Sequence, residues 1–153
     1  MTKTISLAII LMLTILGGCQ KNKLTSFSKF QIGEQIKNEN FTGKAWLNML
    51  AQPDSLNTMY SGYVTFEKGA RTNWHSHPSG QILIGVKGKG FYQEKGKPKQ
   101  ILIEGETVKS KPGVVHWHGA TATHNFSHIA ISSVQNGATL WLGPVSDNEF
   151  HAE

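Results

Sequence analysis

Cysteine is almost absent. Among 153 residues there is one, Cys19, so no disulfide can close within the chain. Charge is sparse at 16%, and although the formal net charge is +5, the basic residues do not cluster. Lys87, Lys89, Lys95, Lys97 and Lys99 spread over two apparent turns and read as a solvated rim. A nucleic-acid binder would show a concentrated stripe, so nucleic acid is not an expected partner. No segment repeats with a 3.6-residue period, which excludes a helical bundle. No apolar run reaches the ~20 residues of a membrane-spanning helix.

The longest apolar run covers residues 5–16 and follows Lys3. Its length suits the core of a signal peptide. It ends in Leu16-Gly17-Gly18-Cys19, which resembles a bacterial lipobox. On that reading residues 1–18 are a lipoprotein signal peptide and Cys19 is the lipidated first residue of the mature protein. Residues 19–40 form a tether and N-terminal arm, and the domain begins at 41. The acyl chains would hold the protein to a membrane on the extracytoplasmic side of a bacterial envelope. Phe27, Phe30, Ile32 and Ile36 are apolar enough to dock the arm on the domain.

What the chain has in quantity is glycine, 16 residues, placed between short apolar or alternating segments. Strands are expected near 43–51, 58–67, 71–77, 80–87, 89–94, 99–103, 106–110, 114–120, 127–134 and 138–142. Turn residues separate them, such as Lys87-Gly88, Lys95-Gly96-Lys97-Pro98 and Lys111-Pro112-Gly113. Many short strands at regular spacing imply an all-β sandwich or barrel. Residues 144–150 are read as a last helical turn.

His75 and His77 lie two apart on an expected strand and therefore share a face. Gln81 follows a Pro78-Ser79-Gly80 turn, and His116 stands on another strand. Imidazole nitrogens in such an arrangement suit one divalent ion, with Mn(II), Fe(II), Ni(II), Cu(II) and Zn(II) all open on the residues alone. The bland reading is a set of polar residues that satisfy one another. His118 shares a face with His116, either as a hydrogen-bonding or substrate-contacting group or as a structural histidine. His128, Ala130 and Ser132 form a small, polar face, while Ile129 and Ile131 take the other. That face suits a cavity wall and makes His128 a candidate general base. Arg71 and Glu67 read as a rim pair or solvated charges.

Two segments also carry a family resemblance. Gly69-x5-His75-x-His77-x3-Gln81-x6-Gly88 and Gly105-x6-Pro112-Gly113-x2-His116 resemble the two motifs of the cupin superfamily. The resemblance implies a single-domain jelly-roll barrel (a double-stranded β-helix) over residues 41–153. Gln81 stands where the usual motif has glutamate, and Ala120 replaces an asparagine that often follows. With these departures the chain resembles small bacterial cupins that include manganese-dependent hydroxynitrile lyases. That resemblance implies metal ligation by His75, His77, Gln81 and His116, with His128 acting beside the ion. It implies a lyase of small hydroxylated organic molecules and a homo-oligomer. A cupin dioxygenase and a non-enzymatic envelope binder of metal or small molecules remain as alternatives. A neutral ligand set leaves a divalent ion its full charge, which favours polarising a bound oxygen or cyanide.

Overall fold

A computed structural model describes residues 30–152. The signal-peptide reading, Cys19 and Phe27 lie outside the described residues. The remainder is all-β, as expected, with one short helix. In chain order the strands are β1 (Glu34–Gln35), β2 (Phe41–Thr42), β3 (Ala45–Ala51), β4 (Met59–Phe66), β5 (Arg71–Thr72) and β6 (His75–Ser76). Then come β7 (Gln81–Glu94), β8 (Gln100–Ile103), β9 (Thr107–Ser110), β10 (His116–Ala120), β11 (Phe126–Ser133) and β12 (Leu140–Trp141). Helix α1 (Asp147–His151) follows. All pairings are antiparallel, and the main path runs β1-β3-β4-β11-β7-β10-β5-β2, with β6, β8, β9 and β12 attached to its flanks.

Two expectations are corrected here. Residues 71–77 do not form one strand but two two-residue strands, β5 and β6. They separate because Asn73 and Trp74 bond to other segments, the Asn40 carbonyl and the 142–143 backbone. Residues 80–94 do not form two strands split by a turn at Lys87-Gly88. They form one long strand, β7, that passes from one sheet to the other. Its first half pairs with β9 and β11, its second half with β8 and β10.

A bulge makes that passage possible. Ser127 pairs with Lys87 and His128 with Gly85, which leaves Val86 unpaired. An extra residue bends a strand and shifts its alternation by one. Before the bulge the odd positions Gln81, Leu83 and Gly85 are buried; after it the even positions Gly90 and Tyr92 are. One strand therefore presents both Gln81 and Tyr92 to the interior. Gly88 completes the corner with φ of +78°, and a Cβ there would lie 2.0 Å from the Asn125 carbonyl oxygen.

The main core joins both sheets through Phe66, Leu83, Tyr92, Leu102 and Phe126. A smaller cluster of Trp74, Trp117, Val145 and Phe150 seats α1. Ser146 and Glu149 form a capping box at the helix start. Arg71 is not a solvated charge. Only 5% exposed, it donates to the Val145 carbonyl and Asp147 and lies over the Phe150 ring. Glu67 pairs instead with Lys44, at 3.8 Å. The end of the N-terminal arm docks in part as expected: β1 adds to β3, Phe30 stacks on Tyr63 and Ile36 packs against the core, whereas Ile32 is 55% exposed.

The corner generates a prediction. Gly88→Ala should lose about 2–4 kcal/mol of unfolding free energy, combining left-handed strain with overpacking. Gly96 has the same φ but open space around its Cβ position, so Gly96→Ala should lose only about 1 kcal/mol. Urea unfolding of both variants checks the difference, and equal losses would refute the role given to the corner.

Candidate metal centre

Five histidines converge on the interior from four places in the chain. β6 carries His75, and His77 follows it at the start of a turn closed by the Gly80 amide donating to the His77 carbonyl. β10 carries His116 and His118, and β11 carries His128. Antiparallel register sets His75 directly opposite His116. All five are buried: His116 and His128 are 0% exposed, and His77, the most accessible, is 6% exposed. Gln81 opens β7 beside them. The sequence-expected face of β11 is also observed, with Ala130 and Ser132 buried and Ile129 and Ile131 half-buried.

The hydrogen bonds fix which nitrogen faces inward. His75 Nδ1 donates to the Asn73 carbonyl at 2.9 Å, and His116 Nδ1 donates to the Val114 carbonyl at 3.0 Å. A proton on Nδ1 leaves a lone pair on Nε2. His77 Nδ1 meets the Thr139 hydroxyl at 3.1 Å and the Tyr60 hydroxyl at 3.4 Å. Its Nε2 is buried without a partner. Gln81 Oε1 lies 3.0 Å from His116 Nε2, so two acceptors face each other. Buried lone pairs without donors are unfavourable by ~1–3 kcal/mol each. A cation beside His75, Gln81 and His116 would meet the inward lone pairs of those residues, and anchoring of the far nitrogen is the usual support of a metal-binding imidazole. The residues present therefore fit a metal ion.

The tightest convergence is not the expected trio. One ring nitrogen each of His75, His116 and His118 lie within 4.8 Å of one another. His118 thus reaches the centre of the cluster, while its Nδ1 lies 3.1 Å from His128 Nε2. His77 stands at the edge of the same group, with ring centroids 5.1 Å from His75 and 5.6 Å from His116. His128 sits behind His118, against the Phe66 and Phe126 rings. His124 and His151, to which the sequence assigned no role, lie elsewhere, against Thr123 and Phe150 respectively.

Burial keeps these imidazoles neutral. It holds His75 and His118 well below the ordinary histidine range, with neighbouring histidines adding to the effect. Burial brings His77 to about 4, helped by His116. Burial brings His128 to about 3, although the Ile129 backbone beside it draws it partly back up. Its Nδ1 makes no hydrogen bond of good geometry. His116 is lowered least clearly, because the Val114 carbonyl and Glu94 oppose the effect of burial.

Several supporting groups were not legible in the sequence. Tyr60 and Thr139 flank His77 from β4 and from the segment before β12. Tyr92 packs on His116 at 5.4 Å and donates to Glu94. Trp141 packs on His75 at 4.8 Å. Two surface clefts, of about 340 and 480 Å³, lie elsewhere: one beside α1 and Phe91, the other between β1 and β3. The chemistry-bearing residues are in the closed interior.

Comparison with known proteins bears on the family and the fold. The cupin domain pattern matches residues 62–131. The chain is 38% identical over 111 residues to an (R)-mandelonitrile lyase of Granulicella tundricola, covering 72% of this chain and 85% of that one. The chain belongs to the cupin family. A cupin-like protein from Thermotoga maritima superposes with a TM-score of 0.78 at 46% identity, covering 81% of this chain and 95% of that one. A conserved cupin barrel protein from Rhodopseudomonas palustris, at 14% identity and TM-score 0.61, covers 71% and 74% and shares the fold.

The depressed histidines give a sign for acid stability of this cupin without metal. Between the unfolded value near 6.5 and the folded values near 4 and 3, the unfolded chain binds more protons than the folded one. Stability is therefore complete above about pH 6.5 and falls as pH drops through this window, by about 1.4 kcal/mol per pH unit for each histidine that stays neutral. Urea titrations of chelator-treated protein from pH 7 to 4 check this. His128→Phe should flatten the profile, and an unchanged slope would contradict it.

Proposed function

We propose that this cupin is a metal-dependent lyase that cleaves a cyanohydrin to an aldehyde and hydrogen cyanide. The observation that carries the reading is the all-neutral donor set: imidazoles and the Gln81 amide, with His118 and His128 hydrogen-bonded beside them. The relative named (R)-mandelonitrile lyase supports the choice of reaction. His75, His77, Gln81 and His116 would hold the ion, Mn(II) by preference, with His118 close enough to face the same point. When bound, a divalent ion supplies Lewis-acid polarisation of a substrate hydroxyl or of departing cyanide.

The chain's own residues do the proton transfer. His118 Nδ1 and His128 Nε2 share one proton across 3.1 Å. Both rings are neutral at pH 7, so the pair can accept a hydroxyl proton. As the O–H electron pair forms the carbonyl, the C–C bond breaks and cyanide leaves with its electrons. The accepted proton then passes to cyanide. Phe66 and Phe126 wall the pair from behind, which keeps water away from the imidazolium that forms.

Purified protein loaded with Mn(II) should release benzaldehyde from mandelonitrile, lose that activity with chelator and regain it with Mn(II). His128→Ala should lower kcat/KM by about 100- to 10,000-fold while metal content stays constant. Gln81→Glu should retain the metal but slow cleavage, since an added carboxylate lowers the charge available for polarisation. An inactive loaded protein, or full activity in His128→Ala, would overturn the reading.

We also propose that Cys19 carries a lipid anchor and that the barrel works at the envelope surface. The basic start, the apolar run of residues 5–16 and the Leu16-Gly17-Gly18-Cys19 box support this. Among the described residues no helix is long and apolar enough to cross a membrane. In bacterial cells Cys19→Ala should move the protein out of the membrane fraction and abolish labelling by radioactive palmitate. Unchanged fractionation would refute the anchor.

A further inference from the structure

An aromatic side chain stands between the buried His75 and solvent. Trp141 pairs with His75 in the β12–β6 ladder, and its ring lies 4.8 Å from the His75 ring at 35°. Yet it is 39% exposed, whereas His75 is 1% exposed. One part of the indole therefore covers a candidate ligand while another faces water. Phe41, half-buried, packs beside it with ring centres 5.7 Å apart and planes tilted by 51°, and continues inward to Phe66, whose ring packs near His118 and His128. An aromatic wall thus runs from the surface to the proton-transferring pair.

The segment that carries Trp141 is lightly held. β12 has two residues; around it the segment is held by the Leu142 amide to the Trp74 carbonyl, the Trp74 amide to the Gly143 carbonyl, a long bond from the Asn73 side chain to the Leu142 carbonyl, and the Thr139 hydroxyl on His77. Leu140 and Leu142 flank Trp141 and are 60% and 48% exposed. Alternation puts them on the opposite face, so the strand turns its aromatic residue alone towards the histidines. Packing alone does not require a large indole there, because no enclosed core lies on its outer side.

We propose that Trp141 is the specificity-determining residue of the site: an aromatic platform on which the apolar substituent of the substrate stacks while its polar carbon reaches the histidines. The proposal rests on the lyase reading above and adds to it the residue that would favour a cyanohydrin bearing an aryl group. Ring stacking is worth about 0.5–1.5 kcal/mol beyond area burial, which corresponds to about a two- to tenfold preference.

Two measurements test it. With Mn(II)-loaded protein, Trp141→Ala should lower kcat/KM for mandelonitrile about fivefold more than for acetone cyanohydrin, chiefly through KM, and Trp141→Phe should restore most of the difference. With zinc-loaded, nitrogen-15-labelled protein, benzyl alcohol should shift one indole N–H signal, the one missing from Trp141→Phe, and tert-butanol should not. Equal losses for both cyanohydrins would overturn the proposal, as would an unmoved Trp141 signal. If wild-type protein cleaves neither cyanohydrin, the lyase reading fails. The indole signal then decides the platform independently.

Discussion

Placing a charged imidazole in a dry interior without a counter-charge is unfavourable by several kcal/mol. This barrel buries five imidazoles, so each must be neutral and each must have its polar nitrogens accounted for. The backbone does part of this work. The carbonyls of Asn73 and Val114 each take a proton from a histidine two residues away, and thereby turn the opposite nitrogen inward as a lone pair. The hydroxyls of Thr139 and Tyr60 hold the near side of His77. What remains is a set of inward lone pairs with no donor to meet them, and that is the electrostatic condition for a cation.

The same condition explains the fold's geometry around the site. Gln81 can meet His116 only if β7 starts with odd positions inward. Tyr92 can back His116 only if the same strand ends with even positions inward. The unpaired Val86 and the corner at Gly88 reconcile the two demands. The bulge, with His128 paired at its edge, therefore shapes the histidine cluster. Arg71 plays a comparable part at a distance. Its guanidinium gathers the Val145 carbonyl, Asp147 and the Phe150 ring, and so fixes the chain just beyond the segment that carries Trp141.

Much of this was legible in the sequence, and for physical reasons. His75 and His77 share a face because strands alternate, and the turn at Pro78-Ser79-Gly80 brings Gln81 back beside them. The polar face of β11 announced itself through Ala130 and Ser132, where a packed core would have large aliphatics. Most expected segments became strands with shifts at their ends, except that 71–77 split into β5 and β6 and that 80–87 and 89–94 merged into β7. What the sequence hid depends on partners far along the chain. Arg71 reads as a surface charge until α1 is placed over it. Lys87-Gly88 reads as a turn because a bulged corner uses the same residues as a turn. Trp141 and Thr139 gave no local signal. Their importance comes from pairing β12 with a two-residue strand more than sixty positions earlier.

That last pairing bears on how the protein comes into being. β6, which carries His75, is flanked by β10 on one side and β12 on the other. Both partners are made later than β6 itself, β10 starting at residue 116 and β12 at residue 140. During synthesis from the N-terminus, the strand bearing His75 must wait, unpaired, until β10 and β12 have both appeared. Contacts of this kind form late and fold slowly. The histidine cluster is therefore assembled among the last events of folding, and an ion arriving early would meet scattered imidazoles, not a site.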